Sequence, residues 1–158
     1  IPQLWAIATC AAIARKYKKA FIADGGVKGP DDYCKSLAAG ADAIMIGGLF
    51  AGTEETPGKP FYEDGQKWKV FRGSASLEFQ LSRMDRESPE EQIRAPEGVP
   101  KRILYKGEVG QVVNELIAYQ FSSMSYVGAK NMKELHDKAK FQWQTNSGYE
   151  EGKPHDVF

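Results

Sequence analysis

Two pairs of glycines, each close behind a short apolar run, are the part of the sequence best suited to chemistry. Gly25-Gly26 follows the run 20–23, and Gly47-Gly48 follows the run 43–46, with corresponding glycines 22 positions apart. Glycine allows main-chain N–H groups to approach an anion closely, and the N-terminus of a following helix favours negative charge. The two pairs in register predict a phosphate site; the alternative is that they only permit tight turns.

Asp24 precedes the first glycine pair and suits a second role at the same site. A carboxylate accepts two hydrogen bonds, so it can bind both hydroxyls of a ribose. The alternative role for this side chain is a helix cap. With the glycine pairs beside it, Asp24 indicates that the bound anion is a nucleotide.

The elements that must position these residues follow one another as helix, strand, helix and strand. Apolar residues near a 3.6-residue period predict a helix over 2–17, and Pro30 with two following acids begins another that Gly40 ends. The two apolar runs are interpreted as buried strands. This order is typical of a parallel α/β sheet, whose strands place their carboxyl ends at one edge.

The remainder of the chain predicts a hairpin, a flap, two further helices and a tail. The hairpin covers 61–71 with its turn near Asp64-Gly65, the charged flap about 83–99, the helices 109–127 and 131–139, and the tail about 145–158. Two strands cannot close a sheet. The predicted fold class is therefore α/β, the C-terminal part of a (β/α)8 TIM barrel, which needs about 250 residues in full. We treat residues 1–158 as a single domain and, because helix-like sequence begins at Pro2 without a preceding strand, as part of a longer protein.

Composition and charge exclude several classes of function. The 158 residues contain 21 Lys plus Arg and 21 Asp plus Glu, so the formal charge is zero and gives no argument for nucleic acid as a partner. No apolar run approaches the roughly 18 residues of a membrane span, and no signal peptide opens the chain, so we expect no membrane and a cytoplasmic location. Cys10 and Cys34 lack metal-site spacing and are expected to be buried free thiols.

Six segments of the chain resemble, in order, the inosine-5′-monophosphate dehydrogenase / GMP reductase family. They are 22–27 (IADGGV), 39–48 (AGADAIMIGG), 51–58 (AGTEETPG), 69–73 (KVFRG), 96–98 (PEG) and 105–107 (YKG). The similarity runs from Pro2 to Val157. It implies a cytoplasmic homotetramer of (β/α)8 barrels that changes C2 of a purine nucleoside monophosphate with NAD or NADPH, and a tail that in the dehydrogenase helps to bind K+.

The resemblance also implies roles for individual residues. Among them, Asp24 would bind the ribose, the glycine pairs the phosphate, and Glu97 the N1/C2 edge of the purine. Arg86 and Glu97 are the implied catalytic residues; activation of water by Arg86 would depend on its surroundings, because the pKa of arginine is very high. The implied substrate residues are Asp24, Gly25, Gly26, Met45, Gly47, Gly48, Phe71, Gly73, Ser74, Ala75, Ser76, Arg94 and Glu97.

Two further sets of residues are implied at the C-terminal end. Ser122, Ser125 and Tyr126 would bind the cofactor, with Tyr126 stacking on its adenine from a neighbouring subunit; alternatively Tyr126 only closes a helix. The implied cation site is Glu151, Gly152 and Lys153. Lys153 stands where the family usually has His, and its ammonium would replace the cation or mark a subunit that uses none.

Both reactions of the family require a cysteine nucleophile that attacks C2 of the purine. In the family this cysteine lies on a loop just before the segment to which residue 1 corresponds. Neither Cys10 nor Cys34 matches it. We therefore predict that the chain is inactive alone.

The residues divide between the two reactions. Thr53, Arg72, Arg86 and the tail favour the dehydrogenase, which converts IMP, NAD and water to XMP and NADH. The reductase, which converts GMP and NADPH to IMP and ammonia, is favoured by Gly48, Phe71, Glu87, the segments 73–76, 79–80 and 94–98, and Lys153. The dehydrogenase is the main prediction, and the reductase is the alternative.

Two functions outside this family fit part of the sequence. An FMN-dependent hydroxy-acid oxidase also ends a barrel strand in Asp-Gly-Gly, but the segments 52–58 and 96–98 argue against it. A non-catalytic, nucleotide-sensing barrel would explain the missing cysteine loop.

Overall fold

The computed structural model describes residues 1–73, 76 and 100–153. Within them the chain forms helices and strands in an order that begins as α/β and ends with helices. The elements are α1 (Gln3–Lys16), β1 (Ile22–Asp24), α2 (Pro30–Ala38), β2 (Ala43–Met45), β3 (Phe61–Glu63), β4 (Gln66–Phe71), β5 (Lys101–Leu104), α3 (Val109–Tyr126), α4 (Met132–Lys138) and α5 (Asn146–Glu151).

A parallel pair of strands, β1 and β2, lies at the centre of the first half. The pairing aligns Ile22 with Ala43 and Asp24 with Met45, so both strands end at the same edge. Burial of one face against helix α1 stabilises the pair: Ile7, Ala23 and Ala41 form the core, and Phe21, Ala39 and Ile44 pack around it. The predicted parallel α/β unit is confirmed.

The two strands are shorter and less buried than the sequence predicts. The first begins at Ile22 rather than residue 20, and the second ends at Met45 rather than residue 46. Successive strand residues face opposite sides, and Ile22 and Met45 lie on the side away from the helices, 56% and 55% exposed. The prediction of fully buried strands is therefore wrong for this chain, because its described elements cover only one face of the pair.

A separate antiparallel sheet follows in the order β3, β4, β5. The hairpin and its turn are confirmed: Asp64 and Gly65 have φ of 52° and 75°, the positive values of a type I′ turn. Strand β5 was not predicted, since four residues with two adjacent basic side chains carry little strand signal. It forms because it pairs with β4, where Trp68 lies opposite Leu104.

Three helices complete the described chain. Helix α3 packs against α2, and α4 also contacts α2. The predicted helices over 109–127 and 131–139 are confirmed to within a residue, and Asn131 caps α4 by accepting a hydrogen bond from Glu134 N at 2.9 Å. Helix α5, capped by Thr145, lies within the segment that the sequence predicts as a tail.

The two cysteines depart from their predicted burial. Both are free, but Cys10 is exposed and Cys34 only half-buried. In α1 the buried residues are Ile7 and Ala11, which are one turn apart, and Cys10 lies to one side of them. Burial and a contact from Ser123 act in opposite directions on the Cys34 thiol, and burial prevails, so its pKa is raised. Among the described helices none is long and apolar enough to cross a membrane.

Candidate functional site

The carboxyl edge of the parallel pair carries both glycine pairs, as the sequence predicts. Gly25 and Gly26 have φ of 81° and 79°, values that favour glycine whatever binds nearby. Gly47 and Gly48 do not lie in this region, and a Cβ added at either meets no atom within 4 Å. The turn therefore does not itself require glycine at 47 and 48, which weakens the alternative that this pair only permits a tight turn.

Main-chain donors are available beside the second glycine pair. Within the described part of the chain, the N–H groups of Gly47, Gly48 and Leu49 donate to no acceptor, whereas Ala51 N donates to Gly47 O at 3.1 Å. Consecutive unpaired N–H groups in a turn form a concavity that favours an anion. The geometry therefore suits a phosphate oxygen or another small anionic group.

Gln3, in the first turn of α1, supports the other glycine pair. Its Nε2 donates to Asp24 O at 3.0 Å and to Gly25 O at 3.3 Å. A Cβ added at Gly26 would lie 3.1 Å from Gln3 Cγ, which leaves little room for a side chain. Sequence reasoning missed Gln3; its position in the turn that begins the helix gave no signal for a contact 21 residues away.

Two lysines hold the loop that follows β2. Lys69, on β4, is buried, and its Nζ donates to Thr53 O and Glu54 O at 3.0 Å and to Thr56 O at 2.5 Å. Lys106 is exposed and donates to Leu49 O at 3.0 Å. Sequence reasoning gave neither lysine a role, although both lie in segments that carry the family resemblance.

A phenol and a carboxylate extend this loop support. A hydrogen bond from the Tyr105 phenol to Glu54 raises the pKa of Tyr105 to about 12, with burial and nearby acids adding to the effect. The same hydrogen bond is the main cause that lowers the pKa of Glu54. Lys67 Nζ lies 3.6 Å from the centre of the Tyr105 ring, within cation–π range.

The predicted substrate residues divide into those at this edge and those elsewhere. Asp24 and Met45 are paired in register at the ends of the two strands, on the exposed face of the pair. Phe71 ends β4, Gly73 follows it half-buried, and the buried Ser76 donates from its N–H to Gly73 O at 3.0 Å. Outside the described residues lie Ser74, Ala75, Arg86, Arg94 and Glu97, and with them most of the predicted flap.

The predicted cofactor residues lie at the end of α3. Tyr126 is the last residue of the helix, and its side chain is 88% exposed. Ser125 Oγ donates to Ser122 O at 2.7 Å within the same turn. Tyr126 thus closes the helix and also leaves an aromatic face open to a partner.

The predicted cation residues lie at the end of α5. Glu151 is its last residue, and Gly152 follows, donating to Gly148 O at 3.1 Å. Lys153 Nζ pairs with the Glu150 carboxylate at 2.6 Å and lies 5.0 Å from the Tyr149 ring. In the described residues no group of three or more His, Cys, Asp or Glu side chains is placed to hold a metal ion.

A family model and curated relatives place this chain in the same family. Residues 1–155 match the model of the family described as the IMP dehydrogenase / GMP reductase domain. An inosine-5′-monophosphate dehydrogenase of Aquifex aeolicus (strain VF5) is 48% identical over 160 residues, covering 99% of this chain and 33% of the relative. The corresponding enzyme of Bacillus subtilis (strain 168) is 42% identical over 159 residues, with the same coverage. The chain spans about a third of the length of the curated relatives that it matches.

A solved structure has the same fold over the whole chain. The crystal structure of a GMP reductase variant from Trypanosoma brucei in complex with guanosine 5′-monophosphate matches with a TM-score of 0.88 and 39% sequence identity. The match covers 100% of this chain and 32% of that chain. The α/β unit therefore corresponds to part of a TIM-barrel enzyme.

Proposed function

Because the chain belongs to the IMP dehydrogenase / GMP reductase family, a family of oxidoreductases, we propose that it is the C-terminal part of the catalytic barrel of an IMP dehydrogenase. The reaction would be oxidation of IMP at C2 of the base, with NAD and water as co-substrates and XMP and NADH as products. Identities of 41–48% to curated IMP dehydrogenases support this choice. GMP reductase is the alternative, and the likeness to a reductase structure holding GMP favours it.

The observation that carries the proposal is the set of unpaired N–H groups at the carboxyl edge. Gly47, Gly48 and Leu49 offer consecutive donors to the phosphate of a purine nucleoside monophosphate, and Gly25-Gly26 follows the end of the adjacent strand. Asp24, beside that pair, is placed to accept hydrogen bonds from the ribose hydroxyls. Met45 lies opposite Asp24 on the exposed face of the strands, where the base would extend.

The catalytic step requires groups beyond the described residues. A cysteine on a loop preceding this segment would attack C2, and the nicotinamide cofactor, when bound, would supply the hydride acceptor. We propose that the flap at about 83–99 closes over the substrate, with Glu97 at the purine edge and Arg86 activating water. Without that cysteine the chain is expected to be inactive alone.

The proposed cofactor and cation sites fit the residues present. NAD supplies the hydride acceptor when bound, and the exposed ring of Tyr126 offers a flat face for its adenine, with Ser122 and Ser125 in the same turn. The C-terminal end of α5, at Glu151-Gly152, presents carbonyl oxygens of the kind that a monovalent cation binds. We propose that both sites are completed by neighbouring subunits in a cytoplasmic homotetramer. If Lys153 replaces the cation, activity should not depend on K+.

The flavin-dependent and non-catalytic alternatives receive no support from these findings. The family match covers residues 1–155 and is to the IMP dehydrogenase / GMP reductase domain, not to a family of hydroxy-acid oxidases. Flavin absorbance in the purified protein would favour the flavin-dependent oxidase again. A protein that binds nucleotide without turnover, although it contains the cysteine loop, would reinstate the second.

The experiment that separates the two reactions follows the nicotinamide absorbance of the full-length protein. One cuvette contains IMP and NAD, and the other contains GMP and NADPH. Absorbance that rises in the first is the expected result and establishes the dehydrogenase. Absorbance that falls only in the second would replace it with the reductase, and no change in either would contradict the proposed function.

A further inference from the structure

Lys69 is a buried lysine whose charged end binds only main-chain oxygens among the described residues. Its side chain reaches from β4 to the loop after β2, and the residue is 2% exposed. An ammonium has three N–H donors and no acceptor, and each of the three has a carbonyl partner here, from Thr53, Glu54 and Thr56. Every donor of this buried group is therefore satisfied inside the protein.

The surroundings of Lys69 resemble a cation site more than an ion pair. Among the described residues no carboxylate lies within 4.0 Å of its Nζ, and Glu54, the acid beside it, instead lies near Lys67 and bonds Tyr105. Burial of a charge is costly unless hydrogen bonds compensate it. Three carbonyls turned toward one point supply that compensation, as they would for a bound monovalent cation.

A continuous set of hydrogen bonds connects this ammonium to the second glycine pair. Thr53, whose carbonyl binds Lys69, donates from its N–H and its Oγ1 to Phe50 O at 3.2 and 2.9 Å. Ala51 N in turn donates to Gly47 O. Each bond orients the next peptide group, so the direction in which the Gly48 N–H points depends on where the loop is held at Thr53, because that N–H is in the same peptide group as Gly47 O.

We propose that Lys69 is a positioning residue for anion binding, a built-in cation that shapes the loop 47–56 so that its free N–H groups face the nucleotide phosphate. The proposal rests on the proposed function in one respect, the identity of the anion as a nucleotide phosphate. The organisation of the loop by Lys69 does not depend on that identity. The positioning role of Lys69 also involves β4, because this lysine connects the loop to the strand that leads into Phe71 and Gly73.

The first test uses Lys69→Met in the full-length protein, since methionine keeps the length and removes the charge. We expect KM for the nucleotide to rise about tenfold or more, because charge-assisted hydrogen bonds are lost, while kcat changes little. Lys101→Met, on the neighbouring strand and exposed, is the control and should leave both constants unchanged. The proposal would be overturned if KM is unchanged in Lys69→Met and kcat falls only in proportion to the amount of folded protein.

Chemical rescue gives a second test that a merely structural role would not pass. Lys69→Ala leaves a cavity beside the three carbonyls, and at constant K+ methylammonium should restore the low KM in proportion to its concentration. Tetramethylammonium, which cannot donate a hydrogen bond, should not do so. Absence of rescue by methylammonium would overturn the proposal that the position is a cation site.

Hydrogen exchange without nucleotide separates failure of this inference from failure of the proposed function. In Lys69→Met, the hydrogen-bonded amides of Ala51, Thr53, Glu54 and Thr56 should exchange at least about tenfold faster, whereas those of α3 keep the wild-type rate. If the wild-type protein does not respond to nucleotide, the proposed function fails, and hydrogen exchange alone, repeated for Lys69→Ala with and without methylammonium, decides the role of Lys69. Unchanged exchange in 47–56, or equal acceleration everywhere, would contradict it.

Discussion

At the scale of single residues, the glycines at the carboxyl edge separate the needs of the backbone from those of a ligand. Gly25 has a φ of 81°, where a side chain is strained, so the turn alone is a reason for glycine at this position. Gly47 has no such φ, and a Cβ would meet no atom within 4 Å. The fold does not require glycine at position 47, and unpaired N–H groups lie beside it. Together these features indicate that the open space is a ligand site.

Replacement of Gly47 by alanine tests this distinction. We expect the unfolding free energy of Gly47→Ala to stay within about 0.5 kcal/mol of wild type, because the site has room for a methyl group. Affinity for the nucleotide should fall about tenfold, because the methyl group obstructs the approach of the phosphate. Thermal unfolding and calorimetric titration measure the two quantities.

Gly65→Ala is the matched control for that variant. Its φ of 75° in the hairpin turn strains any side chain, so it should lose about 1 kcal/mol or more of stability while nucleotide affinity is unchanged. Wild-type affinity in Gly47→Ala would contradict the phosphate assignment.

The Glu54–Tyr105 hydrogen bond predicts a pH dependence of stability with two limits. The pKa of Glu54 is lowered from 4.5, so its contribution is present above that value and is lost as pH falls through the folded value. The pKa of Tyr105 is raised from 10.0 to about 12, so its contribution is present below 10 and is lost as pH rises toward 12. Tyr105→Phe removes both effects.

Denaturant unfolding of wild type and Tyr105→Phe as a function of pH measures this contribution. The difference in unfolding free energy should be largest and constant at neutral pH and should shrink below 4.5 and above 10. The exposed Tyr62→Phe is the control and should show no such profile. A difference for Tyr105→Phe that does not vary with pH would contradict the role of this hydrogen bond.

At the scale of elements, the sequence predicted the long helices and the hairpin turn, because these depend on residues that are close together in the chain. The long helices have apolar periodicity and clear ends, and the hairpin turn requires the positive φ that Asp64-Gly65 provides. Strand β5 exists only through its pairing with β4, and the loop contacts of Lys69 and Lys106 join residues 13 to 57 positions apart. Contacts between distant residues produce no periodic pattern in the sequence. The two lysines that hold the loop could therefore not be predicted, although the glycines of the site could.

Helix α3 contains a buried polar group that predicts a stabilising substitution. Gln120 is 7% exposed, and in the described part of the chain both its Oε1 and its Nε2 lack a hydrogen-bond partner. A buried polar atom without a partner costs about 1–3 kcal/mol. Gln120→Met, of the same length, should therefore raise the unfolding free energy by about 1 kcal/mol.

Chemical denaturation of the two proteins checks this expectation. Gln142→Met is the control, because residue 142 is exposed and its amide is solvated, so stability should change by less than about 0.5 kcal/mol. Destabilisation by Gln120→Met would show that the amide has a partner that the helix packing requires.

At the scale of the whole molecule, two exposed aromatic residues near the C-terminal end are candidates for a subunit contact in the proposed homotetramer. Trp143 is 99% exposed and Phe141 is 50% exposed. If the full-length protein forms the proposed homotetramer, the emission of Trp143 should shift to shorter wavelength on assembly. The difference spectrum of wild type and Trp143→Phe, above and below the assembly concentration, measures the shift.

Trp68→Phe provides the reference for that measurement. Trp68 lies half-buried on β4 within the chain, so its difference spectrum should be the same in both states. An unshifted Trp143 spectrum in the assembled protein would place the subunit contacts elsewhere.

The central claim is that the carboxyl edge of β1 and β2 binds the phosphate of a purine nucleotide, and calorimetric titration of the full-length protein with IMP and with inosine tests it most directly. The two ligands differ only by the phosphate, which the free N–H groups of Gly47, Gly48 and Leu49 would bind. We predict that inosine binds at least about a hundredfold more weakly, since two or more hydrogen bonds to a charged group are lost. Equal affinity for inosine and IMP would contradict the account.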